Sequence, residues 1–117
     1  MTTATIDAAQ VQQAHAKALA AAQTAAKAFS DRHFGGSDGG ACGFAWVNVY
    51  KVRSNSKLGK ALQDVGFRKD YSGALQLWNK WWPGQSVDAA DHGATAYAAV
   101  IKQELGIEEV YAGSRLD

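Results

Sequence analysis

The sequence has one cysteine, one proline and no run of about 18 apolar residues. Each scarcity excludes something. Without a long apolar run, no membrane span is predicted. Cys42 alone cannot form an internal disulfide or a cysteine-based metal cluster, and it fits a reducing cytosol, where it is expected to act as a small buried hydrophobe. The start, MTTATIDAAQ, lacks a basic stretch followed by a leucine-rich one, so no signal peptide is expected. Charge is also sparse. Charged residues make up 20% and the formal charge is +1, which excludes a globally basic nucleic-acid binder. Hydrophobic residues at 47% exclude a disordered chain. A chain of 117 residues matches one domain, 1–117, with a core of its own.

What the sequence has in excess is alanine: 23 residues, 12 of them within the first 34. Residues 6–34 contain neither Gly nor Pro and consist largely of strong helix formers. Thr5 or Asp7 can cap the start, and Gly35-Gly36 ends the run. Val11, Ala14, Ala18, Ala21/Ala22, Ala25 and Phe29 step by three and four, the spacing of one helical face. Such a helix is about 40 Å long, as long as a domain of this size. Alanine buries little area but lets backbones approach closely. The stripe therefore either lies across the chain's own sheet or pairs with a second copy.

After the glycine loop GGSDGG (35–40), the part 41–117 alternates short elements. ACGFAWVNVYKV (41–52) reads as a strand with Cys42, Phe44 and Trp46 on one side and Ala45, Val47 and Val49 on the other. Both sides are largely apolar, which predicts a central strand. Ser54 or Ser56 can cap a helix over 57–65. FRKDY, Ser72-Gly73 and ALQLWN read as a hairpin, and KWWPGQ as a loop. Asp88 with Asp91 can cap a helix over 88–105, whose Gly93 implies close packing against another backbone. EEVYAGS (108–114) reads as a last strand. The expected fold class is α+β: a long N-terminal helix followed by a small three- to four-stranded sheet with two further helices.

Charge is unevenly distributed. Residues 51–80 carry a net +5, and residues 81–117 carry a net −4. A basic middle either holds an anion or pairs with the acidic end. Enzyme templates fail. His15, His33 and His92 have no metal-ligand spacing, so no metal site is expected. Paired H-x-[ST] motifs do not occur, and GGSDGGACG is not a phosphate-binding P-loop. No catalytic residue and no cofactor are assigned.

Two features point to a ligand instead. Trp78, Trp81 and Trp82 cluster with Asn79, Lys80 and Gln85, and a tryptophan left exposed there suits stacking on a base. The competing expectation is that one tryptophan closes the core while the others pack beneath loops. Arg115 follows the last predicted strand, and its planar fork suits phosphate. Arg53, Lys57 and Arg68 would join it if their loops converge at one sheet edge.

The blocks ACGFAWVNV (41–49), LQLWN (75–79), QSVDAADHGATAYAAVI (85–101) and YAGSRLD (111–117) resemble a widespread family of small tailed-phage proteins. That family in turn resembles the Thoeris anti-defence type 1 proteins, nucleotide sponges that capture cyclic ADP-ribose-type immune signals, and in some cases cyclic oligonucleotides, without cleaving them. The resemblance implies a non-enzymatic binder of a small phosphorylated nucleotide in the infected host's cytoplasm, one that sequesters an immune signal. It also implies a homo-oligomer, a dimer or a multiple of dimers, with ligand pockets where copies meet and no stable nucleic-acid partner. Arg115 matches the family's C-terminal phosphate contact, and Arg32 is a candidate for a basic contact near the end of the first helix. The pocket's aromatic residue is left open among Phe34, Trp46 and Trp78. The alternative function is a protein-interaction module that inhibits a host complex through its long helix or basic face.

Overall fold

A computed structural model describes residues 6–117. In chain order the elements are α1 (Ala8–Phe34), β1 (Gly43–Val49), α2 (Lys57–Asp64), β2 (Arg68–Lys69), β3 (Leu75–Trp78), α3 (Val87–Leu105) and β4 (Val110–Leu116). This is the expected α+β fold, with four strands and three helices.

The helix ends follow local chemistry. Asp7 caps α1: its side chain accepts from the Gln10 N–H, while the Gln10 side chain accepts from the Asp7 N–H. Thr5, the other candidate, lies outside the described residues. Gly35 adopts the left-handed conformation that closes α1, and Gly106 does the same for α3. Ser56 caps α2. The cap of α3 is Ser86, not the expected Asp88, because the helix starts at Val87.

The sheet is antiparallel throughout, in the order β2-β3-β1-β4. β1 is interior, as its sequence predicts. Ala45, Val47 and Val49 are fully buried, together with Leu75 and Leu77 of β3 and Val110 of β4. Helix α3 covers this face against β1 and β4, and α2 closes on β3. The other face carries no helix. β1 is thus the central strand expected, although only one of its two apolar sides is packed.

Helix α1 lies along α3 and against α2, so it forms an outer layer instead of lying directly across the sheet. Its 27 residues span about 40 Å at 1.5 Å per residue, against a longest molecular dimension of 44 Å. The buried stripe is Val11, Ala14, Ala18, Ala22, Ala26 and Ser30. Past Ala22 it runs through Ala26 and Ser30 instead of Ala25 and Phe29, which stay half-buried at a groove beside α3; at the helix end Ser30 Oγ donates to the Ser37 carbonyl at 2.7 Å. On α3 the facing positions are also small: Ala90, Gly93, Ala94 and Ala98. A Cβ on Gly93 would lie 2.1 Å from Trp81 Cδ1 and 3.0 Å from the Ala22 carbonyl oxygen. The expected close approach to a backbone is therefore real, although the Trp81 indole is the tighter neighbour. The alanine stripe is occupied within its own chain and is not a free surface for a second copy.

Trp81 seals this core. It is 3% exposed, donates from Nε1 to the Ala90 carbonyl at 2.7 Å and stacks on Tyr97 at 5.7 Å. The Tyr97 hydroxyl in turn meets His15 Nδ1 at 2.6 Å. Burial pushes the Tyr97 phenol up and His15 down, and the Lys80 charge lowers His15 further. Both groups are thereby held neutral in the shared hydrogen bond.

Candidate functional site: an open aromatic face of the sheet

The alternation of β1 sends Phe44, Trp46 and Asn48 to the uncovered face. Cross-strand register supplies their neighbours. Phe44 pairs with Arg115, Trp46 lies between Trp78 and Gly113, and Asn48 lies between Gln76 and Tyr111. The result is an aromatic platform with polar margins. The Trp46 and Trp78 rings are 5.1 Å apart, and Phe44 meets Trp78 edge-on at 5.9 Å. Gly113 makes room for this arrangement, since a Cβ there would stand 2.5 Å from Trp46 Nε1. Trp46 thus lies across β4 half-buried, while Phe44 and Trp78 are 40% and 44% exposed.

Arg115 completes the group. Its guanidinium carbon sits 5.4 Å from the Phe44 ring centroid, a cation–π contact that leaves the N–H fork in solvent. Beside it opens a cleft of about 340 Å³, lined by Cys42, Phe44, Trp78, Asn79, Gln85 and Asp117. That volume falls in the range of small-molecule sites. Cys42 is exposed at the rim, contrary to the expectation of a buried hydrophobe, because it precedes β1 on the uncovered side.

The wall of the cleft is built by the loop between β3 and α3. Asn79 Oδ1 accepts from the Trp81 and Trp82 N–H groups, and its Nδ2 donates to the Trp82 carbonyl. Asn79 was expected to contact ligand, but its amide is committed to holding this turn. Asp38 pins the same loop from the glycine segment. It accepts from Trp82 Nε1 at 2.8 Å and from the backbone N–H groups of Gln85 and Ser86 at 2.7 and 2.8 Å. The Gln85 N–H, then the Trp82 indole and the Ser86 N–H, hold the Asp38 carboxyl below its ordinary range. The stretch 35–40 is therefore a docked strap and not a simple linker. Trp82 is spent on it, Trp81 is spent on the core, and Trp78 alone of the three is free to stack.

Of the eight residues assigned to the ligand, Trp78 and Asn79 line the cleft, and Arg115 sits beside it on the Phe44 ring that Trp78 also touches. The other five do not join them. Arg53 and Lys57 lie beyond the far end of β1, and Phe44 and Val49 alone are separated by about 16 Å along the strand. The Arg53 carbonyl caps the turn into α2. Arg68 is paired with Gln76 on β2, but its guanidinium turns to the Phe67 and Gln63 carbonyls. Arg32 lines a separate groove between α1 and α3 with Phe29, His92 and Thr95. Phe34 packs against Gly39 and Gly40 of the strap. The convergence of basic loops expected at one sheet edge does not occur. One pair, Lys51 and Glu109 at 3.3 Å, instead joins the basic middle to the acidic end.

No protein-family model, curated protein or solved structure matches this chain. The site must therefore be read from its own chemistry. Gln85, grouped with the tryptophans in the sequence, lines the cleft, as does Phe44, which sequence reasoning did not assign to the site. The signal for Phe44 was present in its parity with Trp46. Among the described residues there is no cluster of three or more His, Cys, Asp or Glu that could hold a metal ion, and no helix is long and apolar enough to cross a membrane.

Proposed function

We propose that this chain is a non-enzymatic phage anti-defence protein that binds a small phosphorylated signalling nucleotide in the host cytoplasm and sequesters it intact. The observation that carries the reading is the placement of Arg115 over Phe44, next to exposed Trp78 and the cleft. An exposed indole offers a π-face to a base. A guanidinium anchored on a ring offers a preorganised fork to a phosphate. Asp117 lines the cleft and would repel a phosphate there. The base therefore belongs in the cleft, with its polar edge toward Gln85, and the phosphate belongs outside it on Arg115.

Titration calorimetry with cyclic ADP-ribose isomers and with cyclic di- and trinucleotides tests this. Binding by one class is expected, and the ligand should be recovered unchanged after heat-denaturing the protein. Absence of heat with every nucleotide overturns the reading, and recovery of a cleaved product replaces sponge with enzyme. The rival, a module that inhibits a host complex through its helix or basic face, is weakened on the helix side. The smooth stripe of α1 is already covered by α3.

A further inference from the structure

The two edges of the sheet are unlike. β2, at one edge, is two residues long, and both residues, Arg68 and Lys69, are exposed cations. Short, basic edges resist strand addition. β4, at the other edge, runs seven residues, Val110–Leu116, without proline and with Arg115 as its one charge. Tyr111 and Leu116 are 48% and 68% exposed on it.

The hydrogen bonds to β1 say which backbone groups are free. The Tyr50 N–H donates to the Glu109 carbonyl, and the Asp117 N–H donates to the Cys42 carbonyl. By the antiparallel alternation, odd-numbered residues of β4 turn toward β1 and even-numbered residues turn away. Val110, Ala112, Ser114 and Leu116 therefore present their N–H and C=O groups outward. One side chain guards the edge: Lys102 Nζ lies 5.5 Å from the Tyr111 ring, at the Val110 end, on a stem flexible enough to swing aside.

We infer that β4 is a self-association edge, and that a second copy of this chain pairs with it antiparallel about a two-fold axis at Gly113. The strand complements itself in that register. Gly113 meets Gly113, Ala112 meets Ser114, Val110 meets Leu116, and Tyr111 stands opposite Arg115 of the second copy, a cation beside an aromatic ring. The one like-charged encounter, Glu109 against Asp117, falls at the ends of the pairing, where Lys51 already partners Glu109. A two-fold pairing is closed, and the guarded β2 edge stops further growth into a filament.

The pairing fuses two sheets into one, with both open faces on the same side. Each Arg115 then lies between Phe44 of its own chain and Tyr111 of the other. This inference stands on the edge geometry and does not require the nucleotide reading.

The full chain is tested without ligand by sedimentation velocity and by amide hydrogen exchange across a concentration series. The expected mass is twice the 12.4 kDa of the single chain, with exchange at Ala112, Ser114 and Leu116 slowing as concentration rises. Ser114→Pro removes an outward N–H without touching the ladder to β1, and should halve the mass while leaving circular dichroism unchanged. Ser114→Lys should also halve it, and serves if the proline variant does not fold. A single-chain mass at every concentration, fast exchange at those amides in a dimer, or folded Ser114 variants that stay dimeric would each overturn the assignment.

Discussion

The two faces of the same four-stranded sheet use alternate residues of the same strands in opposite ways. On one face, Ala45, Val47, Val49, Leu75 and Leu77 are sealed beneath helices whose meeting surfaces are alanine and glycine. On the other, Phe44, Trp46, Trp78 and Tyr111 present larger aromatic groups, and no helix is placed over them. Hydrophobic size does not by itself decide burial here. The small residues are buried because two smooth helices can approach closely only over small side chains. The large ones remain partly exposed because the remaining helix, α2, is eight residues long and sits at the β3 side. An exposed aromatic patch of this kind marks a binding surface more often than a packing defect.

This contrast predicts that substitutions on the covered side change stability, while those on the open side change binding. The largest expected effect is Trp81→Ala, which empties the space beside Tyr97 and Gly93 and removes the bond to the Ala90 carbonyl. A loss of about 3–5 kcal/mol is expected in urea unfolding. A loss under 1 kcal/mol would mean that Trp81 is not the seal of the core. Next is Gly93→Ala, which ought to stabilise an ordinary helix by about 1 kcal/mol. Here the added methyl meets the Trp81 ring, and a net loss of about 1–3 kcal/mol is expected from overpacking. A gain in melting temperature would show that the two helices are looser than the geometry requires.

On the open face, Trp78→Ala and Arg115→Ala should each change stability by less than about 1 kcal/mol while reducing nucleotide affinity at least tenfold in calorimetry. A large fall in melting temperature for Arg115→Ala would make it a structural residue and break the contrast.

The smallest effect concerns pH. His15 has a folded pKa below its ordinary 6.5, so the unfolded chain binds the extra proton more readily. Stability is greatest above pH 6.5, and the cost grows as pH falls from 6.5 toward the lower folded value. His15→Asn, which keeps a polar group near Tyr97, should flatten the melting temperature between neutral and mildly acidic pH. An unchanged slope would remove His15 as the source.

Local chemistry made most of the architecture readable from the sequence. The glycine-free run over 6–34, the glycines at 35 and 106 and the serine caps mark element ends to within a few residues, because capping and helix propensity are satisfied by near neighbours in the chain. The site was only half readable. Trp78 and Arg115, picked out by their chemistry, both lie on the open face, yet Arg53, Lys57 and Arg68, grouped with them on residue type, and Arg32 and Phe34, taken from the resemblance, lie elsewhere. Which of three neighbouring tryptophans is free to stack depends on Asp38, more than forty residues away in sequence from Trp82 and Ser86.

The sequence by itself determined the elements, their order and the alternation of β1, since these rest on short-range periodicity and on caps. Only the tertiary structure decided that α1 packs on α3 and leaves one sheet face bare. That choice follows from matching alanine and glycine surfaces on helices more than fifty residues apart in the chain, and from the cost of burying Phe44, Trp46 and Trp78 beneath a helix that the chain does not have to spare. The excess of alanine, which sequence alone offered equally to a sheet or to a second copy, is spent inside the chain, and the aromatic face and the β4 edge are what remain for other molecules.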